Sequence, residues 1–219
     1  MSSPRPLAQL KIMRYPIDNL VNSYHPKGSI TQYFAENKNL YSGICFPNVG
    51  CLENGHNGWD IVAPWGTPIY APCDQKVTEV KDSAGGYGKH VRAVGTYQGK
   101  TYEFTYGHLS SISCGIGDNL KEGQELGKMG NTGFVVSGAT PYWKTNPYAG
   151  THLHFGVREV SDWNPNNLTY TVMNYSNGSF GAIDPTFLFL DLMGDKEVIQ
   201  KLLTLISLYN NLISLLRKK

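Results

Sequence analysis

Two histidines lie two positions apart in the segment THLHFGVREV, residues 151–160, which has the alternating pattern of a β-strand. Residues i and i+2 of a strand point to the same face, so His152 and His154 lie side by side. The apolar residues Leu153 and Phe155 share the opposite face, which is typical of a half-buried strand. Two imidazoles on one face suit a metal or proton-transfer site, although two histidines without a function would show the same pattern.

A second group of candidate ligands lies upstream, in the segment NGHNGWDIVAP. His56 and Asp60 are separated by three residues that include Gly58, so a flexible backbone can bring both side chains to one point. Histidine nitrogen and carboxylate oxygen are zinc ligands, and a set of three leaves the fourth position open for water or substrate. His108 follows in YGHLS, and the ordered series HxxxD, YGHLS and HLHF is far more specific than any single motif.

In this order the segments resemble the lysostaphin-type, LytM-like zinc endopeptidases, a family that cuts peptidoglycan cross-links. The resemblance rests on GHNGWDIVAPWGTPIYAP, TYGHLSSIS, GDNLKEGQELGKMGNTG and THLHFGVRE, and IDPTFLFL resembles the closing segment of that family. It extends from about Ile30 to Leu190 and covers neither the first residues nor the tail. It implies an enzyme whose substrate is a peptidoglycan peptide and which acts on the cell wall, in an extracellular, periplasmic or virion-associated setting.

The resemblance also assigns a role to each of five residues. His56, Asp60 and His154 would bind one Zn²⁺ per chain, and His108 and His152 would be catalytic without binding the metal. Zinc lowers the pKa of its bound water towards about 7. A neighbouring neutral imidazole can accept the proton of that water or form a hydrogen bond to the developing oxyanion. The chain contains no HExxH sequence, so these histidines have to fill that role.

Three other interpretations remain open at this point. The histidines could form a closed structural zinc site or a hydrogen-bonded core, although a closed site would favour cysteine ligands and no cysteine lies in these motifs. The chain could be a non-catalytic wall-binding regulator, although family members of that type have lost ligands and this chain keeps them all. A phage-associated structural lysin would use the same chemistry in another context.

The pattern outside the histidine motifs is that of a β protein. Glycine accounts for 24 of the 219 residues, more than the usual share of roughly 7%. The clearest strands, separated by glycine-rich turns, are TPIYAP, QKVTEVK, GKHVRAVGTY, KTYEFTYGHL and THLHFGVREV. Together with the resemblance, they predict a mainly β fold in which a folded antiparallel sheet carries a substrate groove.

We expect three parts along the chain. These are an N-terminal arm (residues 1–28), a zinc endopeptidase domain (residues 29–190) and a C-terminal amphipathic helix (residues 191–219). The helix is predicted from apolar residues spaced 4-3-4-3-4 between residues 198 and 216, a seam typical of coiled coils. It could dock on the domain or drive self-association, and an interfacial membrane helix is a third alternative.

Two long segments interrupt the strand pattern. Residues 134–150 form an aromatic loop, and long ordered loops in compact domains tend to be functional. We expect Tyr142, Trp143 and Tyr148 to line the cleft; the alternative is a loop that buries its own aromatic side chains. Residues 161–182 have the composition of a second insertion.

Charge and composition argue against several other functions. The net charge of +2 is too small to favour nucleic-acid binding, and neither a transmembrane run nor a signal peptide is evident. Cys45 and Cys51 are close enough to be bridged in an oxidising compartment, and free cysteines are the alternative. The remaining histidines, His25 and His90, lie outside the motifs and are predicted to be surface or loop residues.

Overall fold

The structure is a computed structural model that describes residues 13–18, 30–46, 50–137 and 140–189. The chain divides into two compact units, residues 13–185 and a second unit made of residues 1–12 with 186–219. Most of the predicted arm (residues 1–28) and all of the predicted C-terminal helix (residues 191–219) lie outside the described residues. The packing of the arm and the docking or self-association of the helix therefore stay predictions.

Strands account for most of the described secondary structure, and the helices are short. The strands are β1 (Ile30–Gln32), β2 (Cys45–Phe46), β3 (Gly50–Cys51), β4 (Trp59–Ile61), β5 (Pro68–Tyr70), β6 (Gln75–Lys81), β7 (His90–Tyr97), β8 (Lys100–Gly107), β9 (Leu109–Ile112), β10 (Asn119–Leu120), β11 (Glu125–Met129), β12 (Val136–Ser137), β13 (Thr140–Pro141), β14 (Leu153–Asn164), β15 (Thr169–Val172) and β16 (Ala182–Ile183). The helices are α1 (Lys38–Tyr41), α2 (Tyr142–Thr145) and a 3-10 turn at Pro185–Leu188. Within the described parts of the chain, no helix has the length and apolar content needed to cross a membrane.

Nine of the described strands form one antiparallel sheet. Its order is β1-β4-β14-β8-β7-β6-β10, and β15 and β16 also pair with β14. A second sheet has the order β5-β11-β9, and the pairs β2-β3 and β12-β13 are hairpins. The structure therefore confirms the predicted mainly β, antiparallel fold class.

The long central strands bury one face because their sequences alternate between apolar and polar residues. Fully buried apolar side chains from β6, β7, β8 and β14 form the core under the sheet: Val77, Val91, Ala93, Phe104, Tyr106, Phe155 and Val157. The rings of Phe104 and Phe155 stack across neighbouring strands with centroids 6.1 Å apart. The opposite face of the same strands is polar and forms the floor of a groove of about 970 Å³. The expected groove thus lies on the sheet face that the core leaves open.

Residues 161–182 do not interrupt the strand pattern in the way that the sequence had suggested, because they largely continue the main sheet. β14 continues through Asn164, and β15 turns back and pairs with it from Val160 onwards. β16 pairs with the same strand at Val157 and Arg158. The alternating sequence TYTV of β15 places Tyr170 and Val172 on one half-buried face, so the signal of a short strand was present in this segment.

Cys45 and Cys51 are joined by a disulfide across the β2-β3 hairpin, where they are register partners. The bridged alternative therefore holds for this pair. Among the described residues, Cys73 and Cys114 take part in no disulfide. Burial raises the pKa of the Cys114 thiol to about 11, so this group stays protonated near neutral pH.

Candidate metal centre

Three side chains from distant parts of the sequence meet where β4 pairs with β14. Asp60 lies in β4 and His154 in β14, and the antiparallel register places them directly opposite each other. His56 reaches them from the loop before β4. His56 Nε2, Asp60 Oδ1 and His154 Nδ1 lie 3.0–3.1 Å from one another. The structure thus brings together the three residues predicted as metal ligands.

Gly58 permits this approach by leaving space. A Cβ atom at Gly58 would lie 2.6 Å from the carbonyl oxygen of Phe155 and 3.0 Å from the ring of His154. Any side chain at this position would push the segment before β4 away from β14. The sequence suggested that Gly58 supplies backbone flexibility. Its φ angle is not positive, however. A glycine is needed here because the segment before β4 approaches β14 closely.

The donor atoms of this cluster fit a metal cation. His56 Nδ1 lies 3.3 Å from the carbonyl oxygen of Tyr33, which can only accept, so Nδ1 carries the hydrogen and Nε2 offers its lone pair. His154 directs Nδ1 at the other two ligand atoms, and its Nε2 is buried without a hydrogen-bond partner among the described residues. Ligand atoms about 2.0–2.2 Å from a tetrahedral zinc would be about 3.3–3.6 Å apart, slightly wider than the observed triangle.

Burial and hydrogen bonding set the charge states of the cluster. Burial lowers the pKa of His154 to about 4, because it disfavours the imidazolium, while Asp60 acts in the opposite direction. Burial alone would raise the pKa of Asp60, but the close contacts of its carboxylate with His154 and His56 hold that pKa well below its usual value. A neutral imidazole and an ionised carboxylate are the forms that bind a divalent cation.

Neighbouring side chains fix the orientation of both imidazole ligands. The ring of Tyr87 stacks on that of His154 with centroids 5.0 Å apart. Asn57 Nδ2 donates a 2.8 Å hydrogen bond to the hydroxyl of Tyr87. On the other side, Tyr41 packs against His56 with ring centroids 5.3 Å apart. Such outer contacts restrict ring rotation and so keep the ligand atoms aimed at one point.

The two predicted catalytic histidines lie beside the ligand cluster, with their rings 4.6 Å apart. His152 Nδ1 lies 2.7 Å from the Gly150 carbonyl oxygen, and His108 Nδ1 lies 2.8 Å from that of Thr132. Because a carbonyl oxygen only accepts, each Nδ1 carries a hydrogen and each Nε2 of the neutral ring carries a lone pair. His152 Nε2 is 3.7 Å from Asp60 Oδ1, so this lone pair lies next to a ligand atom.

The backbone holds His108 in an uncommon conformation. Its φ angle of 63° lies in the left-handed region, where the chain leaves β8 and enters β9. Its amide nitrogen donates a 2.7 Å hydrogen bond to the Tyr87 carbonyl oxygen, and burial holds the pKa of its ring well below the usual value. The segment after β11 supports both histidines, because the Gly130 carbonyl accepts from the amide of His152 and the Thr132 carbonyl accepts from His108.

The aromatic loop contributes less to the groove than the sequence predicts. Residues 134–150 form the β12-β13 hairpin followed by α2, and Tyr142 lines the groove. Trp143 instead donates from Nε1 to the Gly133 carbonyl oxygen at 3.2 Å. Tyr148 is 65% exposed and packs edge-on against Trp65, outside the groove. Of the three expected aromatic residues, only Tyr142 faces the cleft.

This arrangement can be compared with known proteins. The sequence profile of Peptidase family M23 matches residues 54–167, more than half of the chain and the region that holds all five histidine and aspartate residues of the site. The chain belongs to this family.

Two curated relatives and one solved structure illustrate the similarity. An uncharacterized metalloprotease of Haemophilus influenzae is 32% identical over 133 residues, covering 61% of this chain and 24% of that protein. The peptidoglycan DD-endopeptidase ShyA of Vibrio cholerae is 35% identical over 102 residues, covering 46% of this chain and 19% of that protein. The catalytic domain of lysostaphin from Staphylococcus simulans is 24% identical with a TM-score of 0.44, covering 72% of this chain and 98% of that one. The chain thus spans about a quarter or less of the length of these two curated relatives.

His90 is not a surface or loop residue, which corrects the sequence prediction. It lies in β7, is buried, and places Nε2 2.9 Å from Glu79 Oε1. It lines the groove together with Arg92, two residues further along the same strand. The alternation that places two histidines on one face of β14 also places these two side chains together, and their spacing in KHVR was the available signal. His25 lies outside the described residues.

Proposed function

We propose that this chain is a zinc-dependent endopeptidase that hydrolyses the peptide cross-links of bacterial peptidoglycan. The observation that carries the proposal is the meeting of His56, Asp60 and His154 at one point, beside His108 and His152, in an open groove. Membership of peptidase family M23 supports peptide hydrolysis, and the relative ShyA is a peptidoglycan DD-endopeptidase. A non-catalytic wall-binding role is not favoured, because the chain retains a complete set of candidate ligands.

The proposed metal is one Zn²⁺ per chain, held by His56, Asp60 and His154. Two imidazole nitrogens and one carboxylate oxygen match the ligand preference of zinc, and three protein ligands leave a position open. When bound, zinc would lower the pKa of a coordinated water towards about 7 and polarise the scissile carbonyl group.

His108 and His152 handle the protons of the reaction. In the neutral rings each Nε2 can only accept, because the single ring hydrogen is held at Nδ1 by a backbone carbonyl. Either Nε2 can therefore take the proton of the attacking water. The resulting imidazolium then donates from Nε2 to the oxyanion or to the leaving amine. Oxyanion stabilisation by these rings thus follows proton uptake and does not precede it.

The proposed place of action is the cell wall, whether extracellular, periplasmic or virion-associated. The disulfide between Cys45 and Cys51 supports an oxidising compartment of this kind. Such bonds are rare in the reducing cytosol of most organisms.

Purified peptidoglycan tests the proposal directly. The zinc-loaded chain should clear a suspension of cell-wall sacculi and release peptides with new amino and carboxyl ends, identified by mass spectrometry. Removing the metal with a chelator should abolish clearing, and added Zn²⁺ should restore it. Binding to sacculi without any new peptide end would instead support the non-catalytic wall-binding alternative. New reducing sugar ends without peptide cleavage would show that the substrate bond is wrong.

A further inference from the structure

The groove floor continues beyond the metal centre across three strands. Gly156 of β14, Thr105 of β8 and Arg92 of β7 are register partners in one row, and Glu79 of β6 follows in the same row. His154 lies two residues before Gly156, near the start of β14 and on the same face. Two strand spacings and two residues along a strand separate Arg92 from His154, which gives about 12 Å between their Cα atoms. An extended peptide covers that distance in about three to four residues.

Two arginines on this floor differ in how far their hydrogen-bonding capacity is used. Arg158 is bound by Glu103 through Nε and Nη2, with nitrogen–oxygen distances of 2.8 Å from Nε and 2.5 and 2.6 Å from Nη2. The hydroxyl of Tyr170 also donates to Glu103. This group is a largely buried ion pair in which the carboxylate of Glu103 neutralises the Arg158 charge and occupies its Nε and Nη2 donors.

Two carboxylates lie near the Arg92 guanidinium, but neither forms a hydrogen bond with it. Its nearest carboxylate contacts are 3.5 Å to Glu79 and 3.8 Å to Glu103. Within the part of the chain that the structure describes, the Arg92 Nε atom is buried without a hydrogen-bond partner. Glu79 is also engaged by His90 at 2.9 Å and by Lys81 at 2.6 Å. Two carboxylates therefore orient the Arg92 guanidinium. Because Nε is buried and the side chain is partly exposed, a ligand in the groove would be bound through the terminal Nη atoms.

The electrostatics of this end of the groove favour an anion. Lys81, Arg92 and Arg158 line it, and they face two carboxylates, those of Glu79 and the buried Glu103. One cation is thus left without a matching charge. The Arg92 side chain is 25% exposed and faces the groove, so a ligand can reach it. A guanidinium presents parallel N–H donors whose geometry matches a carboxylate, which makes carboxylate the anion that a peptide substrate would present here.

We propose that Arg92 binds a free carboxylate of the cross-linked peptide, about three to four residues from the scissile bond. This inference rests on the proposed function, because it takes the groove to be the peptide site. It assigns a substrate class: peptides that carry a free carboxylate at this distance are preferred over neutral bridges such as polyglycine. Gly156 lines the groove between the metal centre and Arg92, so the floor carries no side chain at this point.

Two synthetic cross-linked peptides test the inference. They share the scissile bond and differ only in that one carries the carboxylate and the other the corresponding carboxamide. For the zinc-loaded wild-type chain, kcat/KM should be on the order of 10- to 100-fold higher for the carboxylate form, the effect of a charge-assisted hydrogen-bonded contact. Arg92→Gln should reduce this ratio to about one, and Arg92→Lys should give an intermediate ratio, since lysine keeps the charge and loses the fork.

Arg14→Gln is the matched control. Arg14 has a similar exposure of 28%, pairs with Asp18 at 2.6 Å and does not line the groove. This variant removes the same charge and should keep the wild-type ratio. Equal cleavage of the two peptides by the wild type, or an unchanged ratio in Arg92→Gln, would overturn the proposal. If Arg92→Gln shows no cooperative thermal unfolding, the ratio for Arg92→Lys decides in the same way.

Failure of the proposed function would be distinguishable from failure of this inference. If the zinc-loaded chain cuts neither peptide, the endopeptidase assignment is wrong, and isothermal titration with the same peptides tests the carboxylate site alone. Tighter binding of the carboxylate form, lost in Arg92→Gln, supports the site without the activity. Equal affinities for the two forms reject it.

Discussion

The two ends of the groove floor hold clusters of charged and titratable side chains that are arranged on opposite principles. At the metal end, His56, Asp60 and His154 direct two nitrogen atoms and one oxygen atom at a common point. At the other end, Glu103 receives a paired set of donors from Arg158 and a further hydrogen bond from Tyr170. The groups of the first cluster present lone pairs and a negative charge that suit a cation. In the second cluster the carboxylate of Glu103 and the guanidinium of Arg158 neutralise each other. Removing a member should therefore cost ligand binding at one end and folding stability at the other.

The two clusters also differ in the size of the residues that surround them. Small residues pack around the metal end, where a Cβ at Gly58 or Gly107 would lie within 3.0–3.3 Å of the His154 side chain. The backbone segments therefore approach each other closely, and this holds the side chains of His56, Asp60 and His154 in position. At the other end, the long side chains of Glu103 and Arg158 extend between neighbouring strands, and their opposite charges neutralise each other. Close backbone approach marks the cluster that is built for a ligand.

The largest expected effect is the loss of a metal ligand. His154→Ala should lose zinc during gel filtration, and its activity should fall to that of the chelated wild-type chain. Asp60→Ala should behave in the same way, because it removes the anionic ligand. Zinc measured by atomic absorption on the same batch as the initial rates checks both. Zinc retained at one per chain in both variants would place the metal elsewhere and remove the basis of the comparison.

Loss of a proton-handling histidine should be smaller and should separate activity from metal content. His152→Ala is expected to keep about one zinc per chain and to lose activity by on the order of 100- to 10,000-fold. His108→Ala should resemble it, because the two rings lie 4.6 Å apart and each holds its hydrogen at Nδ1. The same paired measurement of zinc and rate applies. If His152→Ala loses its zinc while His154→Ala keeps it, the two roles on this strand are reversed.

At the charged end, the expected effect is on stability. Glu103 is fully buried, and Glu103→Gln should lower the free energy of unfolding by about 3 kcal/mol, because it leaves the Arg158 charge without its partner. Zinc content at neutral pH should not change. Denaturant unfolding monitored by circular dichroism measures the difference.

Glu159→Gln is the control for that measurement. Glu159 pairs with Lys100 at 3.0 Å on the exposed part of the neighbouring strands, and exposed pairs contribute about 0–1 kcal/mol. Equal losses in the two variants would show that the Glu103 group is an ordinary surface pair. A loss of zinc in Glu103→Gln would show that the two ends are not independent.

The sequence predicted the elements that depend on local pattern. Alternation identified the long strands, and the spacing of the histidines placed His152 and His154 on one face. It could not predict which strands pair. Glu103 and Arg158 are 55 residues apart and meet only because β8 and β14 are neighbours, and His90 is buried because β6 brings Glu79 beside it. The role of Gly58 was misjudged for the same reason, since the close strand behind it is about a hundred residues away in the chain.

The smallest expected effect lies in the aromatic loop, where two tyrosines test whether the groove wall contributes to binding. Tyr142 lines the groove, and Tyr142→Ala should raise KM for cell-wall peptides about 2- to 10-fold, the effect of losing an aromatic contact. Tyr148 packs on Trp65 outside the groove, so Tyr148→Ala should leave KM within about 2-fold of the wild type. Tyr142 also packs closely on Gly150, whose carbonyl holds the Nδ1 hydrogen of His152. A fall in kcat with unchanged KM in Tyr142→Ala would therefore show that this ring supports His152 and does not contact the substrate.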